Sequence, residues 1–313
     1  MLWMYCPGMA NQPDKSLCHD QLEALQAMRK AWGSYLFLAA MFWILQKVDD
    51  IKTAVERPTR LVPFILNPIQ LHMLSNLERH NLLLKARQIG GTTFFLLVRG
   101  LLEVITNEGT NALLISQSRE YAELHFMIAA RAYRYFGMRN PHDDRENQIN
   151  ISYRQNLLHT KYTNRRELYF DQIESRLAVA TAEVEESGQG ATLHHLICSE
   201  YARWPKNPAA TLANVRGALA PRGTVDIECT ANGAAGSFFE KFQLAQLNPL
   251  ASDAKSHYYS WYFAEDLDMQ IDDKQKEEME KDISEDELRL IAQMHRELTD
   301  VAWTGVQANR VFV

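Results

Sequence analysis

The stretch Lys85–Thr93, with the sequence KARQIGGTT, holds the residue types and spacing that point most directly to chemistry. An apolar run, Leu82–Leu84, precedes it, and a largely apolar segment, Phe94–Leu102, follows it. This order predicts a buried strand, a tight basic turn with paired glycines, and a helix that begins at two threonines. Unpaired N–H groups at a helix start bind anions, glycines let that backbone approach a phosphate, and a threonine hydroxyl can bind the accompanying Mg²⁺. The stretch therefore predicts a phosphate-binding loop.

The loop departs from the usual phosphate-loop pattern, G-x-x-x-x-G-K-[ST]. It lacks the first glycine, and Gly91 stands where the pattern has its lysine. Lys85 or Arg87, on the other side of the turn, can supply the missing positive charge. The pattern alone therefore leaves two interpretations open, a variant phosphate loop or an ordinary connection between a strand and a helix.

Polar residues also follow a later strand, at Ser199 and Glu200, directly after the predicted strand 192–198. A carboxylate at this position, facing a phosphate loop, can orient and activate the water that attacks a γ-phosphate. The serine can hold Mg²⁺ through a water. The alternative is a structural ion pair between Glu200 and Arg203 at the start of a helix.

Thr230, Asn232 and Gly233 follow the next predicted strand, 223–229. Polar side chains at such a tip can sense the γ-phosphate and relay its loss to a moving part. A capped Asn-Gly turn is the alternative. Gln70 could contact an adenine edge through its amide, although an exposed helix glutamine is the default interpretation.

The densest basic and aromatic cluster contains Lys161, Arg165 and Arg166, with Tyr153 and Tyr162 nearby. Such a cluster can contact the phosphate backbone of DNA, and a solvated charged loop is the alternative. The chain as a whole has a net charge of −6. Any contact with nucleic acid must therefore come from a local basic face.

The composition is that of an ordinary globular protein: 313 residues, 46% hydrophobic and 23% charged. Its four cysteines, at irregular spacing, predict neither a disulfide framework nor a zinc site. The longest apolar run, Ala31–Leu45, is shorter than a membrane span requires and predicts a buried or partner-facing helix. We therefore expect no membrane association.

Predicted strands alternate with predicted helices along the chain, which indicates a largely parallel sheet with helical crossovers. Ligands of such sheets bind beyond the carboxyl ends of the strands, where the three polar tips described above all fall. The predicted strands are 82–84, 111–116, 167–170, 177–181, 192–198 and 223–229, and the predicted helices are 71–80, 94–102, 119–135, 208–220 and 237–246. Residues 137–165 are expected to be irregular.

Three segments are predicted. Residues 1–60 form a helical lead-in, with two helices over 20–57, and residues 61–263 form the core. Residues 264–313, rich in Asp, Glu and Lys, form an exposed helical tail.

Four stretches, in this order and spacing, resemble the ATPase domain of the large terminase subunit of tailed bacteriophages, the motor that packages DNA into proheads. They are FILNPIQ (64–70), KARQIGGTT (85–93), HHLICSEYARW (194–204) and ECTANGAAGSFF (228–239). Many members of that family have a loop of the form K-A-R-Q-x-G-x-[ST]-T, S-E in place of D-E, and T-A-N-G at the coupling motif. The resemblance covers about residues 60–263. It implies a P-loop NTPase fold of the RecA/ASCE type, with a mainly parallel sheet flanked by helices.

The resemblance also implies roles for the residues of these motifs. Lys85 and Arg87 would neutralise the phosphates, with Arg87 as a finger in cis, and Glu200 would activate the attacking water. Thr92 would bind Mg²⁺, and Ser199 would do so through water. Nucleotide contacts are implied for Gln70 (at adenine), Lys85, Arg87, Gln88, Gly90, Gly91, Thr92 and Thr93. Coupling of hydrolysis to movement on DNA is implied for Thr230, Asn232 and Gly233.

The implied cofactors are ATP and Mg²⁺. The implied partners are double-stranded DNA, the portal protein of the prohead, the small terminase subunit and further copies of the chain assembled on the portal. The place of action would be the cytoplasm of the host bacterium, with transient residence at the portal vertex.

Two features differ from the family. Gln189 stands where members often carry an arginine in a turn before the catalytic strand. Full-length members also continue into a nuclease domain, and this chain stops at Val313, so DNA cleavage is not expected of it. A helicase-like ATPase and a truncated or degenerate remnant with little ATPase activity remain alternative interpretations.

Overall fold

The structure is a computed structural model that describes residue 39 and residues 42–47, 59–136, 160–164, 166–183 and 192–259. The predicted tail 264–313, Gln189 and Arg165 lie outside these ranges. So do most residues of the predicted helical lead-in.

One eight-stranded sheet organises the described part of the chain. Its strands are β3 (His80–Lys85), β4 (Asn111–Ser116), β5 (Thr160–Asn164), β6 (Glu167–Phe170), β7 (Ser175–Thr181), β8 (Leu193–Cys198), β9 (Leu219–Thr230) and β10 (Lys255–Tyr259), and β1 and β2 pair separately, as described below. The strand order is β10-β3-β9-β8-β4-β7-β6-β5. The six strands from β10 to β7 run parallel, and β6 and β5 are added antiparallel beside β7. The predicted parallel sheet is confirmed.

The helices lie between these strands and pack on both faces of the sheet. The first, α1 (Pro68–Asn76), starts at a capping box that Asn67 and Gln70 form. A continuous helix then runs from α2 (Gly91–Phe94) through the π-helical segment Phe95–Leu102 into α3 (Glu103–Thr106). The others are α4 (Arg119–Arg134), α5 (Pro208–Arg216) and α6 (Ser237–Leu247).

Two hydrophobic clusters, one on each face, form the core. Along β4 the side chains alternate between them: Ala112 and Leu114 join the cluster that contains the continuous helix, whereas Leu113 and Ile115 join the one that contains α5 and α6. A strand buried on both faces is nearly all apolar, which explains why the apolar runs predicted the central strands correctly.

The helix predicted over the end of the lead-in is wrong where the structure describes it. Trp43–Lys47 is a strand, β1, and it pairs antiparallel with β2 (Thr59–Pro63). Phe42, just before β1, is fully buried and lies 4.9 Å from the ring of Phe136. Pairing and packing with distant segments therefore outweigh the local pattern, because an apolar run by itself is compatible with either element.

Three smaller predictions also differ from the structure. The first predicted helix, 71–80, ends at Asn76, because His80 already belongs to β3. Thr160–Asn164, predicted to be irregular, is the edge strand β5. The edge strand β10 has no counterpart among the predicted strands. β5 and β10 are the two edge strands of the large sheet, and edge strands carry more polar residues than buried ones and so lack a clear apolar signal.

No helix in the described ranges is long and apolar enough to cross a membrane.

We predict that Phe95→Ala lowers the free energy of unfolding by about 3–5 kcal/mol, because Phe95 is fully buried in the continuous helix and packs edge-on against Phe94. Urea unfolding followed by circular dichroism measures the change. Leu250→Ala is the control, since Leu250 is fully exposed and its loss should change stability by less than about 0.5 kcal/mol. Equal effects of the two changes would contradict the assignment of this helix to the core.

Candidate functional site

The carboxyl ends of the neighbouring strands β3, β9 and β8 lie side by side, at the carboxyl-terminal end of the sheet. Lys85, the last residue of β3, pairs in register with Thr230, the last residue of β9. The turn Ser199-Glu200 follows β8, on the other side of β9. The structure therefore brings together the three tips that the sequence singled out, although the first lies more than a hundred residues before the other two in the chain.

The loop after β3 has a strained backbone. Gln88 and Gly90 both have positive φ angles, 64° and 77°. A glycine adopts this conformation without penalty, whereas a residue with a Cβ atom does not. Gly91 then begins the continuous helix, which places the free N–H groups of the first turn at the end of the loop.

Gln70 and Asn67 hold this loop from the side. The Gln70 amide donates to the carbonyl of Gly90 at 3.0 Å, and its carbonyl accepts from the Asn67 backbone N–H at 3.0 Å. Asn67 Nδ2 donates to the carbonyl of Ile89 at 3.4 Å. Gln70 is buried and in contact with the loop itself, so its observed role is to fix the loop, and contact with adenine stays a prediction.

The Lys85 ammonium lies between two carboxylates. Its Nζ atom is 3.0 Å from Glu228 Oε2 and 3.3 Å from Glu200 Oε1. The first contact is an ion pair by distance, although its direction does not make a hydrogen bond to Oε2. All three side chains are buried or nearly so.

The charges of this site shift the pKa values of Lys85 and Glu200. Burial alone would lower the pKa of Lys85, but the charges of Glu228 and Glu200 outweigh it and raise that pKa above its ordinary value. Burial alone would raise the pKa of Glu200, but Lys85 and hydrogen bonds from Thr230 lower it below the usual range. The lysine is therefore held charged and Glu200 ionised.

Glu200 has a left-handed backbone, with φ 50° and ψ 45°, which is costly for a residue with a side chain. This conformation aims its carboxylate across the sheet edge at Lys85. Its Oε2 atom accepts from the Thr230 hydroxyl at 2.8 Å and from the Thr230 backbone N–H at 3.3 Å. The structural ion pair with Arg203 is also present, at 3.4 Å, and activation of a water by Glu200 stays a prediction.

Glu228 is the residue that the sequence analysis missed. It is fully buried on β9, and its Oε1 atom accepts hydrogen bonds from the hydroxyls of Thr92 and Ser199, both at 2.7 Å. The two residues with a predicted role at Mg²⁺ thus meet on one carboxylate. A signal existed: Glu228 and Thr230 are two positions apart, so they share a face of the strand.

The remaining loop and tip residues spread outward from this centre. Arg87 and Gln88 are exposed, and Arg87 makes no ion pair with a described residue, so its guanidinium is available to a ligand. Thr93 is half-buried. Asn232 and Gly233 are exposed, and Asn232 donates to the carbonyl of Ala202 at 3.1 Å, which links the β9 tip to the β8 tip.

The candidate DNA-contact residues lie elsewhere. Lys161 is on the edge strand β5, and exposed Arg166 is in the turn between β5 and β6. Six strand spacings separate β5 from β3, or about 29 Å. The structure does not bring these residues to the site, and their contact with DNA stays a prediction.

The donor set fits a nucleotide with Mg²⁺. Loop N–H groups, Lys85 and Arg87 suit phosphates, and the hydroxyls of Thr92 and Ser199 suit a hard cation that prefers oxygen ligands. A buried carboxylate lies beside these hydroxyls: Oε2 of Glu228 accepts no hydrogen bond within the described residues and is matched only by the Lys85 ammonium, 3.0 Å away, so this place already favours a cation.

No protein-family model matches the chain, and no curated protein is similar to it in sequence. Solved structures do resemble it. The large terminase of bacteriophage HK97 aligns with a TM-score of 0.50 and 14% identity, over 87% of this chain and 54% of its own. The large terminase ATPase domain of Thermus phage P74-26 aligns with a TM-score of 0.46 and 16% identity, over 62% of this chain and 81% of its own.

A DEAD box protein from the hyperthermophile Methanococcus jannaschii aligns with a TM-score of 0.41 and 11% identity, over 82% of this chain and 69% of its own. The likeness to the HK97 terminase confirms the predicted fold, a mainly parallel sheet flanked by helices, and with it the resemblance to large terminases at the level of the fold. This chain spans about half the length of the HK97 protein.

We predict that Lys85→Met lowers the free energy of unfolding by about 3–5 kcal/mol at pH 7, because it leaves two buried carboxylates without their cation. The folded-state pKa of Glu200 is depressed, so its stabilisation is present above the ordinary carboxyl pKa of about 4.3 and is lost as the pH falls. Urea unfolding should therefore show a smaller difference from wild type at pH 4 than at pH 7. A difference in the free energy of unfolding that does not depend on pH would contradict the ion-pair assignment. The double variant Lys85→Met/Glu200→Gln should recover part of the free energy of unfolding that Lys85→Met loses.

We predict that Gly90→Ala is more damaging than Gly109→Ala, although both glycines have positive φ angles. A Cβ atom at Gly90 would lie 2.6 Å from Gln70 Nε2, whereas one at Gly109 would meet no atom within 4 Å. Gly109→Ala should cost only the left-handed strain of about 1–2 kcal/mol. Gly90→Ala should cost more in thermal unfolding and also weaken nucleotide binding. Equal losses for both variants would show that Gln70 does not fix the loop.

Proposed function

We propose that this chain hydrolyses Mg-ATP and is the motor domain of a phage terminase large subunit, which couples hydrolysis to translocation of double-stranded DNA into a prohead. The observation that carries the ATPase part is the Lys85 ammonium, 3.3 Å from the Glu200 carboxylate at the end of a phosphate-type loop. The four motifs that resemble terminases, and the fold shared with the HK97 terminase, support the packaging part.

Binding of the triphosphate rests on the loop. The N–H groups at the start of the continuous helix and the side chains of Lys85 and Arg87 provide positive charge for the β- and γ-phosphates. Gly90 and Gly91 let the backbone approach, and Gln70 keeps the Gly90 carbonyl turned away from the ligand. Thr92 and Ser199 would hold Mg²⁺, which screens the phosphate charge when it is bound.

Activation of the attacking water falls to Glu200. It is ionised in the folded protein, and its strained backbone and the two Thr230 hydrogen bonds fix its direction. When a γ-phosphate draws Lys85 away, one Glu200 oxygen loses its cation and becomes free to accept a proton from a water.

Coupling to movement begins at Thr230. Thr230 donates a hydrogen bond to Glu200, and Asn232 donates one to the backbone carbonyl of Ala202. A displacement of the residues after β8 would therefore also move the residues at the end of β9. The exposed segment 231–236 can pass that change to a neighbouring surface. Its partners, in this proposal, are double-stranded DNA, the portal protein, the small terminase subunit and further copies of the chain.

We predict that Glu200→Gln and Lys85→Ala each lower Mg²⁺-dependent ATP turnover by about 10²–10³-fold, because each removes a charged group that acts at the reacting phosphate. A coupled phosphate-release assay measures the rates. Glu108→Gln is the control and should leave turnover unchanged. Glu108 is exposed and lies just before β4, at the amino-terminal end of the parallel strands and away from the site. Turnover that is indifferent to both changes would refute the ATPase assignment and favour a degenerate remnant.

A second assay tests the packaging part of the proposal. Duplex DNA together with proheads should stimulate turnover, and no strand separation should occur on a forked duplex. Unwinding of the fork would favour the helicase-like alternative.

A further inference from the structure

Glu228 is an unusual residue for a stable core. Its carboxylate is fully buried, and a buried carboxylate is costly unless its charge is matched. Its one ion pair among the described residues is with Lys85, which it shares with Glu200. The function proposed above assigns no role to this charge.

Two hydroxyl groups point their hydrogens at Glu228. Thr92 Oγ1 and Ser199 Oγ each donate to its Oε1 atom at 2.7 Å. A hydroxyl has one hydrogen and two lone pairs, so both lone pairs of each oxygen remain free. The carboxylate thus orients the two hydroxyls as acceptors, which is the orientation that a cation needs.

The strand that usually provides an acidic metal ligand does not do so here. In phosphate-loop NTPases a loop serine or threonine and an aspartate on a neighbouring strand hold Mg²⁺. In this chain the residue before Glu200 is the neutral Ser199, and β8 (LHHLIC) contains no carboxylate. Glu228 is on the adjacent strand β9, within hydrogen-bonding distance of both Thr92 and Ser199.

We propose that Glu228 supplies the anionic side of the magnesium site that Thr92 opens, in place of an aspartate on β8. This inference rests on the proposed ATPase function and deepens it. In this structure the Lys85 ammonium is the cation beside Glu228. When the phosphates draw Lys85 away, Glu228 would be a buried charge without a cation, and a divalent cation brought by the nucleotide restores the balance.

The test measures metal affinity and does not depend on turnover. Mn²⁺ replaces Mg²⁺, and electron paramagnetic resonance counts free Mn²⁺ in the presence of a saturating non-hydrolysable ATP analogue. Glu228→Gln keeps the size of the side chain and removes its charge. We expect it to weaken Mn²⁺ binding by about 10- to 100-fold, the range seen when groups around a metal are lost.

Two matched variants separate this role from others. Asp226→Asn also neutralises a fully buried carboxylate on β9, one that pairs with Arg99 at 3.4 Å and not with Lys85, and it should leave Mn²⁺ affinity within twofold of wild type. Glu200→Gln should reduce turnover but keep Mn²⁺ affinity. Mn²⁺ affinity of Glu228→Gln within twofold of wild type would overturn the proposal, as would an equal loss in Asp226→Asn.

A compensating variant keeps the test valid if Glu228→Gln loses stability. Adding Ser199→Asp to Glu228→Gln moves a carboxylate back to β8, because Ser199 Oγ lies 2.7 Å from Glu228 Oε1. We expect the double variant to regain at least tenfold in Mn²⁺ affinity over Glu228→Gln, and no recovery would contradict the proposal. If the wild-type protein binds no nucleotide, both this inference and the proposed function are refuted. If the wild-type protein binds nucleotide and Glu228→Gln keeps its Mn²⁺ affinity, only this inference is refuted.

Discussion

The Lys85 ammonium, held between the carboxylates of Glu200 and Glu228, is the interaction on which this site depends. Each carboxylate comes from a different strand, and neither tolerates burial without a cation. The ion-pair cluster therefore joins the ends of β3, β8 and β9 into one unit. Any ligand that attracts the ammonium changes the charge balance at both carboxylates, which makes the cluster sensitive to an incoming phosphate.

The position of β9 between β3 and β8 makes this cluster possible. Parallel register places Lys85 beside Thr230 and, two residues earlier, Leu83 beside Glu228, so these four side chains from two strands face the same side. The continuous helix that starts at Gly91 is buried along nearly its whole length. The loop before it is consequently anchored in the core, and its strained backbone is maintained by packing and by the hydrogen bonds of Gln70 and Asn67.

Strain and charge are concentrated at the same edge of the sheet. Gln88 and Glu200, both with side chains, have positive φ angles there. Strain of this kind persists only where surrounding contacts impose it, and it recurs at sites that bind ligands. Here the contacts are identifiable: Gln70 for the loop, and Thr230 and Lys85 for Glu200. Contacts within the chain therefore hold both the loop and the Glu200 turn in these conformations.

The sequence by itself determined the central strands, the presence of helices before β3, after the loop and after β4, and the polar tips at Lys85, Glu200 and Thr230. These features depend on local apolar runs and on residues that follow them, which a linear pattern records. It gave the wrong element for Trp43–Lys47 and no sign of the edge strand β10, because both depend on pairing with distant segments. Only the tertiary structure revealed the surroundings of Glu228: within the chain it is one of two carboxylates on β9, and its proximity to Thr92, Ser199 and Lys85 arises from strand order, which local sequence does not encode.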